Sequence, residues 1–200
     1  MKVTALKEQV KNPDRVNVFI DGAYSFSLSL GEVIDYKVRV GNELDEAGLS
    51  ELKKVSSDGK VRMRAYEWLL NRPHSTRELR DYLRRKKVEP DLSERLISEF
   101  TEKSVLDDSR FAEWFTERAQ RKHKSVRMTR NELRGKGIIA DSLPTNTDKE
   151  SLEVLIAKLA GRPRYSDQAR LIRYLQSKGF SYGDIKEALM LREPLQDGEI

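Results

Sequence analysis

VLDDSRFAEWFTERAQRKHKSVRMTRNELRGKGI, residues 105–138, is the stretch of sequence that decides the predicted fold. Asp107 and Asp108 stand where a helix begins, because a short carboxylate accepts hydrogen bonds from the free N–H groups of a first turn. Ser125 offers a second N-cap, and the helical spacing that follows it stops at two glycines. The stretch therefore predicts two consecutive helices joined by a short turn.

The first of these helices carries an aromatic stripe. Phe111, Trp114 and Phe115 follow one another at the i, i+3, i+4 spacing, which places them on one helix face. Such rings can form a platform on which nucleic-acid bases stack, but the spacing is more typical of a face that packs into a core. The residues expected to be largely buried on apolar helix faces are Trp68, Phe100, Phe111, Trp114, Phe115 and Leu133.

The second half of the stretch is strongly basic. Between Arg118 and Lys136 there are eight Lys or Arg and a single acid, Glu132. A solvated helix face normally mixes the two signs, so this density favours an anionic partner over a merely solvated surface. The predicted contacts in this run are Arg118, Arg121, Lys122, Lys124, Arg127, Arg130, Arg134 and Lys136. Neighbouring acids are not expected to neutralise Arg121, Lys122, Lys124, Arg127, Arg130 and Arg134.

The formal net charge of +5 is distributed unevenly along the chain. The net charge is −2 over residues 1–58, +4 over 59–104, +3 over 105–149 and zero over 150–200. The middle of the chain is therefore the predicted binding region, and the last quarter should contribute least electrostatically. A second group of predicted contacts, partly offset by neighbouring acids, comprises Arg77, Arg80, Arg84, Arg85 and Lys86.

Residues 1–30 predict a small antiparallel sheet. Apolar residues alternate from Val16 to Ile20 and again from Tyr24 to Leu28, and Asp21-Gly22 between the two runs is a typical two-residue hairpin turn. The run from Val3 to Lys7 is a candidate third strand. Two short helices are expected at 30–36 and 45–55.

From Val61 onward the pattern is helical, and it repeats. LRRKKV (83–88), LRGKGI (133–138) and LQSKGF (175–180) each end a helix with Leu, then Lys three residues on. The repeated leucines are 50 and 42 residues apart, a spacing typical of stacked helical units. The alternative, chance recurrence in a basic helical protein, is less favoured because the motifs stand at matching positions.

These patterns predict a mainly α protein of three tandem three-helix repeats, with a small antiparallel β extension at the N-terminus. Asp91 is expected to cap a helix of the first repeat, and Ser166 to begin one in the third. Pro144 shortens the third helix of the second repeat, expected at 138–143. The predicted divisions are the extension at 1–58, repeats at 59–104, 105–146 and 147–191, and a polar tail at 192–200.

Several classes of protein are disfavoured by composition. There is no Cys and only two His, so a disulfide framework and a zinc site are not expected, and Asp107-Asp108 is more typical of a cap than of a metal pair. No catalytic or cofactor-binding motif is found, so we expect neither an enzyme nor a cofactor. No apolar run is long enough to span a bilayer and the N-terminus is unlike a signal peptide, which makes a cytoplasmic protein the expectation. A monomer is expected as well.

The segment VLDDSRFAEWFTER, the ELRGKGI after it, and the flanking RP…YLRRKKV and RP…YLQSKGF resemble the RecX family of regulators of the RecA recombinase. The N-terminal TALKEQVKNPDRVNVFIDGAYSFSLSL is similar to the β-rich extension of many members. The resemblance implies an elongated, curved body that lodges in the groove of the RecA–single-stranded DNA filament. It also implies inhibition of RecA ATP hydrolysis, strand exchange and LexA co-proteolysis in the SOS response, without catalytic residues.

Two other functions remain open from the residues themselves. A helix pair with a basic second helix can act as an autonomous DNA-binding unit. A helical-repeat scaffold can also bind an acidic protein partner. Binding to a short duplex without any filament would favour the first, and salt-insensitive binding to protein without a response to DNA would favour the second.

Overall fold

The structure is a computed structural model that describes residues 1–10, 12–139 and 148–190. Over these residues it contains nine α-helices and one three-stranded antiparallel sheet, with no strand among the described residues after β3. The predicted class, mainly α with a small antiparallel sheet at the N-terminus, is confirmed. The expected third helix of the second repeat and the polar tail lie largely or wholly outside the described residues.

The chain forms two compact units. The first unit combines Met1–Arg72 with Tyr82–Val105. The second unit combines Pro73–Asp81 with Leu106–Ile200.

The sheet of the first unit is a meander of β1 (Val3–Gln9), β2 (Asn12–Ile20) and β3 (Ala23–Ser29), in that spatial order. Asp21 and Gly22 form the turn between β2 and β3 with φ of 47° and 86°. Positive φ at both central residues is the requirement of the type I′ turn, whose twist matches that of the paired strands. The predicted hairpin and the candidate third strand are both confirmed.

Two helices follow the sheet, α1 (Leu30–Asp35) and α2 (Glu46–Leu70). The Ser56 hydroxyl of α2 donates to the carbonyl of Ser27 at 2.7 Å, which fixes the helix against the sheet. The buried apolar residues that join the sheet to α2 are Val3, Val18, Ile20, Phe26, Leu28, Val38 and Leu52.

The length of α2 differs from the prediction. A short helix at 45–55 and a separate helix from Val61 were expected, but the helix runs unbroken through Gly59. A glycine weakens a helix interior by only about 1 kcal/mol relative to alanine, which packing can offset. A side chain at this position would also collide with the carboxylate of Glu32. The predicted division between residues 58 and 59 therefore falls inside α2.

The rest of the first unit includes α4 (Pro90–Glu102) and the last turn of α3 (Thr76–Arg85). The predicted cap at Asp91 is wrong. Glu89 occupies the N-cap position without a side-chain hydrogen bond, and Pro90 opens the helix. Proline suits a first helical position because its fixed φ is already helical and no N–H is needed there.

The second unit contains the remaining helices and one 3₁₀ turn. They are α5 (Asp108–Arg121), α6 (Val126–Gly135), α7 (Asp148–Leu159), the 3₁₀ turn Pro163–Tyr165, α8 (Gln168–Ser177) and α9 (Tyr182–Met190). Phe111, Leu133 and Ile138 form the core between α5 and α6. The core of α7, α8 and α9 consists of Leu152, Leu155, Ile156, Leu159, Leu175, Phe180, Ile185 and Ala188.

The predicted caps of the second unit are partly confirmed. The Asp107 carboxylate accepts from the N–H groups of Ser109 and Arg110, and the Ser125 hydroxyl accepts from that of Met128. In the third repeat, Asp167 rather than Ser166 caps α8.

The burial predictions hold for three of the six residues. Phe100, Phe111 and Leu133 are fully buried. Trp68, Trp114 and Phe115 are only half-buried, since helical periodicity identifies a face and does not tell which of its residues lie at the edge. Trp68 stacks on the half-buried ring of Tyr82 with centroids 4.6 Å apart.

Successive repeats meet through one contact pattern, which we call the repeat junction. At the first junction the Ser75 hydroxyl donates to the carbonyl of Lys136 at 2.9 Å, and the Thr76 N–H donates to Asp108 at 2.7 Å. At the second, the Ser125 N–H donates to the carbonyl of Lys178 at 2.9 Å. There too, the N–H of the next residue, Val126, donates to Asp148 at 2.7 Å.

The glycine after each of these lysines explains why the sequence motif recurs. Gly137 and Gly179 have φ of 82° and 94°. A Cβ at Gly137 would lie 3.2 Å from Arg77 Cβ, and one at Gly179 would lie 2.5 Å from Met128 Cβ. The matching residue of the first repeat is Lys87, with φ of 56°. The left-handed conformation is thus common to all three repeats, and glycine stands where a preceding repeat packs against the position.

Candidate functional site

A surface groove lies between α5 and α6 in the second unit. Its volume is about 430 Å³. The residues that line it, which we call the basic groove, are Phe115, Arg118, Ala119, Lys122, Lys124, Glu132, Gly135 and Lys136. Four of the predicted cations therefore face one concave surface that also holds an aromatic ring and one acid.

Two cations of the basic groove are paired with acids. Lys124 Nζ lies 2.5 Å from one oxygen of Glu132, eight residues along the chain. Lys136 Nζ lies 2.8 Å from the carboxylate of Glu78. The expectation that neighbouring acids leave Lys124 unneutralised is therefore wrong, because the fold brings Glu132 from α6 to the turn after α5.

No acid among the described residues pairs with the other two cations of the groove. Arg118 and Lys122 are exposed, and among the described residues neither forms an ion pair. The Arg118 guanidinium lies 5.3 Å from the ring centroid of Trp114. A ring holds a cation through its quadrupole and does not cancel the net charge, so this guanidinium remains available to an anion.

Three arginines of α6 form a row along its outer surface. Arg127, Arg130 and Arg134 follow the i, i+3, i+7 spacing of a single helix face, which we call the arginine row. Arg134 is exposed and Arg130 is half-buried. Arg127 donates to the carbonyl of Gly179 at 3.1 Å, so it also supports the second repeat junction.

The remaining predicted contacts are divided between the two units. Arg121, Arg77 and Arg80 are exposed in the second unit, where Arg77 packs close to Gly137. Arg84, Arg85 and Lys86 are exposed in the first unit. The structure therefore brings together the cations of α5, of α6 and of the start of α3 within one unit.

The first unit also shows a cation that is fully paired. Arg62 donates to both carboxylate oxygens of Glu99, and Lys103 donates to the same group at 2.6 Å. The hydrogen bond from Arg62, more than any other interaction, lowers the pKa of Glu99 to about 2. Charge density in the sequence alone does not separate such paired cations from Arg118 and Lys122 of the basic groove, which form no ion pair among the described residues.

Sequence reasoning missed the environment of the repeated lysine. Lys86, Lys136 and Lys178 stand three residues after the repeated leucine. Lys86 lies 5.8 Å from the ring centroid of Tyr82, and Lys178 lies 5.3 Å from that of Tyr174. The i, i+4 spacing of Tyr and Lys was the available signal. In the second repeat Glu132 stands at the place of the tyrosine.

Three models of one protein family match the chain. They are the regulatory protein RecX N-terminal domain at residues 1–45, the RecX first three-helix domain at 62–100 and the RecX third three-helix domain at 148–189. The chain belongs to the RecX family. The matched segments contain the sheet, most of the first repeat and the α7–α9 core described above.

Individual members of the RecX family agree with this assignment. The regulatory protein RecX of Listeria innocua is 27% identical over 194 residues, which are 90% of this chain and 72% of the relative. That of Bacillus subtilis is 27% identical over 199 residues, 94% of this chain and 75% of the relative. A crystal structure of a regulatory protein RecX gives a TM-score of 0.70 over 93% of this chain and 98% of that chain, at 22% identity. That structural likeness shows the fold.

Membership of the RecX family gives the chain a regulatory role. None of the described helices has both the length and the apolar character that crossing a membrane requires. Among the described residues there is also no group of three or more His, Cys, Asp or Glu placed to hold a metal ion.

The acid of the basic groove yields a direct prediction. A Glu132→Gln variant should bind a polyanion several-fold more tightly at low salt, because Lys124 loses its partner and gains the freedom to contact phosphate. Fluorescence anisotropy with a labelled single-stranded oligonucleotide measures the change. Glu117→Gln, an exposed acid on α5 that does not line the groove, is the matched control. Equal gains from the two variants would contradict a specific role for the groove.

Proposed function

We propose that this protein regulates a RecA-type recombinase by binding the RecA–single-stranded DNA filament. It acts as a cytoplasmic monomer and mostly inhibits the ATPase, strand-exchange and LexA co-protease activities of the filament. The observation that carries the proposal is the basic groove, because it combines uncompensated positive charge with an aromatic ring in a chain of the RecX family. The recombinase is the partner that the family name of the relatives suggests.

The chemistry of the groove fits a phosphate backbone. Arg118 and Lys122 present positive charge to solvent without an acid partner among the described residues, and a guanidinium can hold a phosphate through two parallel hydrogen bonds. Each phosphate contact releases condensed counterions, which makes such binding strongly dependent on salt. The arginine row on α6 adds further positive charge in the same unit.

Preference for a filament over bare DNA tests the proposal. Labelled protein is titrated with single-stranded DNA and with the same DNA coated by recombinase, at one salt concentration. We expect clearly tighter binding to the filament, because the protein then contacts the recombinase as well as the DNA. Equal affinity for the two, or specific binding to a short duplex, would favour an autonomous DNA-binding protein instead.

Charge reversal of the arginine row should weaken binding sharply at low salt. Replacing Arg127, Arg130 and Arg134 with Glu should also reduce the salt slope by roughly 0.7–0.9 for each phosphate that the protein no longer neutralises. The fold should persist, since most surface substitutions change stability little, although the variant cannot form the hydrogen bond from Arg127 to Gly179. Filament binding measured over a series of salt concentrations, together with a melting curve, checks both statements.

The matched control reverses Arg170 and Arg173 of α8. Both are exposed, and they belong to residues 150–200, whose formal net charge is zero. The control should therefore have the smaller effect on binding. If both sets of reversals behave alike, the arginine row is only a solvated face.

A further inference from the structure

The third repeat carries two cations that rest on a pair of tyrosines. The Arg164 guanidinium lies 5.9 Å from the ring centroid of Tyr165, and Lys178 Nζ lies 5.3 Å from that of Tyr174. The two rings contact each other with centroids 5.1 Å apart. These four side chains form one continuous row, which we call the tyrosine row.

The charges of the tyrosine row are not cancelled. Among the described residues, neither Arg164 nor Lys178 forms an ion pair, and the rings that hold them leave their net charge unchanged. Lys149 in the same repeat is different, because its Nζ lies 3.5 Å from the carboxylate of Glu187. A net charge of zero over residues 150–200 therefore conceals a local concentration of positive charge.

The tyrosine row lies beside the turn that joins α5 to α6. The carbonyl of Lys178 accepts from the Ser125 N–H at 2.9 Å, which places the end of α8 against this turn. The pKa of His123, within the turn, is lowered first by partial burial and then by the positive charges of Lys158 and Lys178. The end of α8 thus places the positive charge of Lys178 beside the turn.

The same turn begins in the basic groove. Lys122 lines the groove and immediately precedes His123, so uncompensated positive charge continues from the groove across the turn to the third repeat. The rings along this path are half-buried and keep part of their surface in solvent: Phe115 in the groove, and Tyr165 and Tyr174 in the tyrosine row.

We propose that Lys178 and Arg164 form a second phosphate-binding subsite, which takes the backbone of a single-stranded nucleic acid as it leaves the basic groove. The subsite rests on the proposed function only in that nucleic acid must occupy the basic groove. It does not require the recombinase. A single strand fits better than a duplex because its unpaired bases can lie against partly exposed aromatic rings, whereas the bases of a duplex are already stacked.

Binding of bare oligonucleotide to the full-length protein tests the subsite. The test variant carries Lys178→Gln and Arg164→Gln, and the probe is a fluorescent oligothymidine long enough to cover both the groove and the third repeat. We expect weaker binding and a salt slope lower by about 0.7 for each phosphate no longer neutralised, or roughly 1.4 in total. A shorter oligothymidine that fills only the groove should bind the variant and the wild-type protein equally.

The matched control is Lys149→Gln combined with Lys186→Gln, which removes two positive charges from the same repeat outside the tyrosine row. It should leave both the affinity and the salt slope close to wild type. Melting curves of all variants establish that the comparison is between folded proteins.

Three outcomes would overturn the inference. An unchanged salt slope in the test variant shows that these cations contact no phosphate. Equal effects of test and control variants show that only net charge matters, and an equal loss for a duplex of the same length shows that the ligand is not a single strand. Failure of the proposed function would look different: the recombinase would be unaffected by the protein, while the oligonucleotide result would stand.

Discussion

A Gly179→Ala variant should unfold with a free energy roughly 2–5 kcal/mol below that of the wild-type protein. A left-handed backbone costs an L-residue about 1–2 kcal/mol, and overpacking typically adds about 1–3 kcal/mol. Both apply here, because φ is 94° and the added Cβ would lie 2.5 Å from Met128 Cβ and collide with the Ser125 hydroxyl. Urea unfolding followed by circular dichroism measures the loss.

Two other glycines supply matched controls for Gly179. Gly161 has φ of 81° but no atom within 4 Å of the added Cβ, so Gly161→Ala should lose only the backbone contribution of about 1–2 kcal/mol. Gly137, with Arg77 Cβ at 3.2 Å from the added atom, should fall between them. If all three variants lose the same stability, the close packing of the repeat junctions is not what requires glycine.

A Phe111→Ala variant should lose about 3–5 kcal/mol, the usual result of removing a fully buried aromatic side chain. Phe111 has no exposed surface and forms the core of the second repeat with Leu133 and Ile138. Because a small repeat unit has limited stability of its own, the α5–α6 pair should be the part that melts first. Hydrogen exchange of α5 and α6 amides, alongside global melting, checks this expectation.

The Trp114→Ala variant distinguishes a packing role of the indole from a role in base stacking. Its ring is half-buried and supports Arg118 at 5.3 Å, so truncation should cost less than at Phe111 and should also weaken anion binding through the freed guanidinium. A variant that loses as much stability as Phe111→Ala would contradict the half-buried position. One that melts at the wild-type temperature yet loses binding would favour base stacking on the indole.

The sequence predicted local features of the fold well, because short-range chemistry determines them. Asp21-Gly22 adopts the positive φ values that a hairpin turn needs, and Asp107 and Ser125 cap the helices that follow them. The prediction failed at Gly59, through which α2 runs unbroken, because a glycine costs a helix interior only about 1 kcal/mol, which tertiary packing can offset. It also failed at Asp91, since Pro90 starts that helix.

The candidate site was less predictable because it depends on tertiary contacts. The density of Lys and Arg in residues 118–136 identified α5 and α6, but the pairing of Lys124 with Glu132 and of Lys136 with Glu78 required the folded chain. Counting charges by region likewise hid the tyrosine row, because the acids of residues 150–200 balance the sum. Whether a cation is available to a phosphate depends on its nearest partner. An acid neutralises the charge of the cation, whereas an aromatic ring does not.

The most direct test of the proposed regulation is the single-strand-dependent ATPase of the cognate RecA-type recombinase, measured with and without this protein. We expect the rate of ATP hydrolysis to fall as the protein is added. The variant that reverses Arg127, Arg130 and Arg134 should need a much higher concentration for the same effect. An ATPase rate that does not respond to the wild-type protein, under conditions where the filament forms, would contradict the proposed regulation.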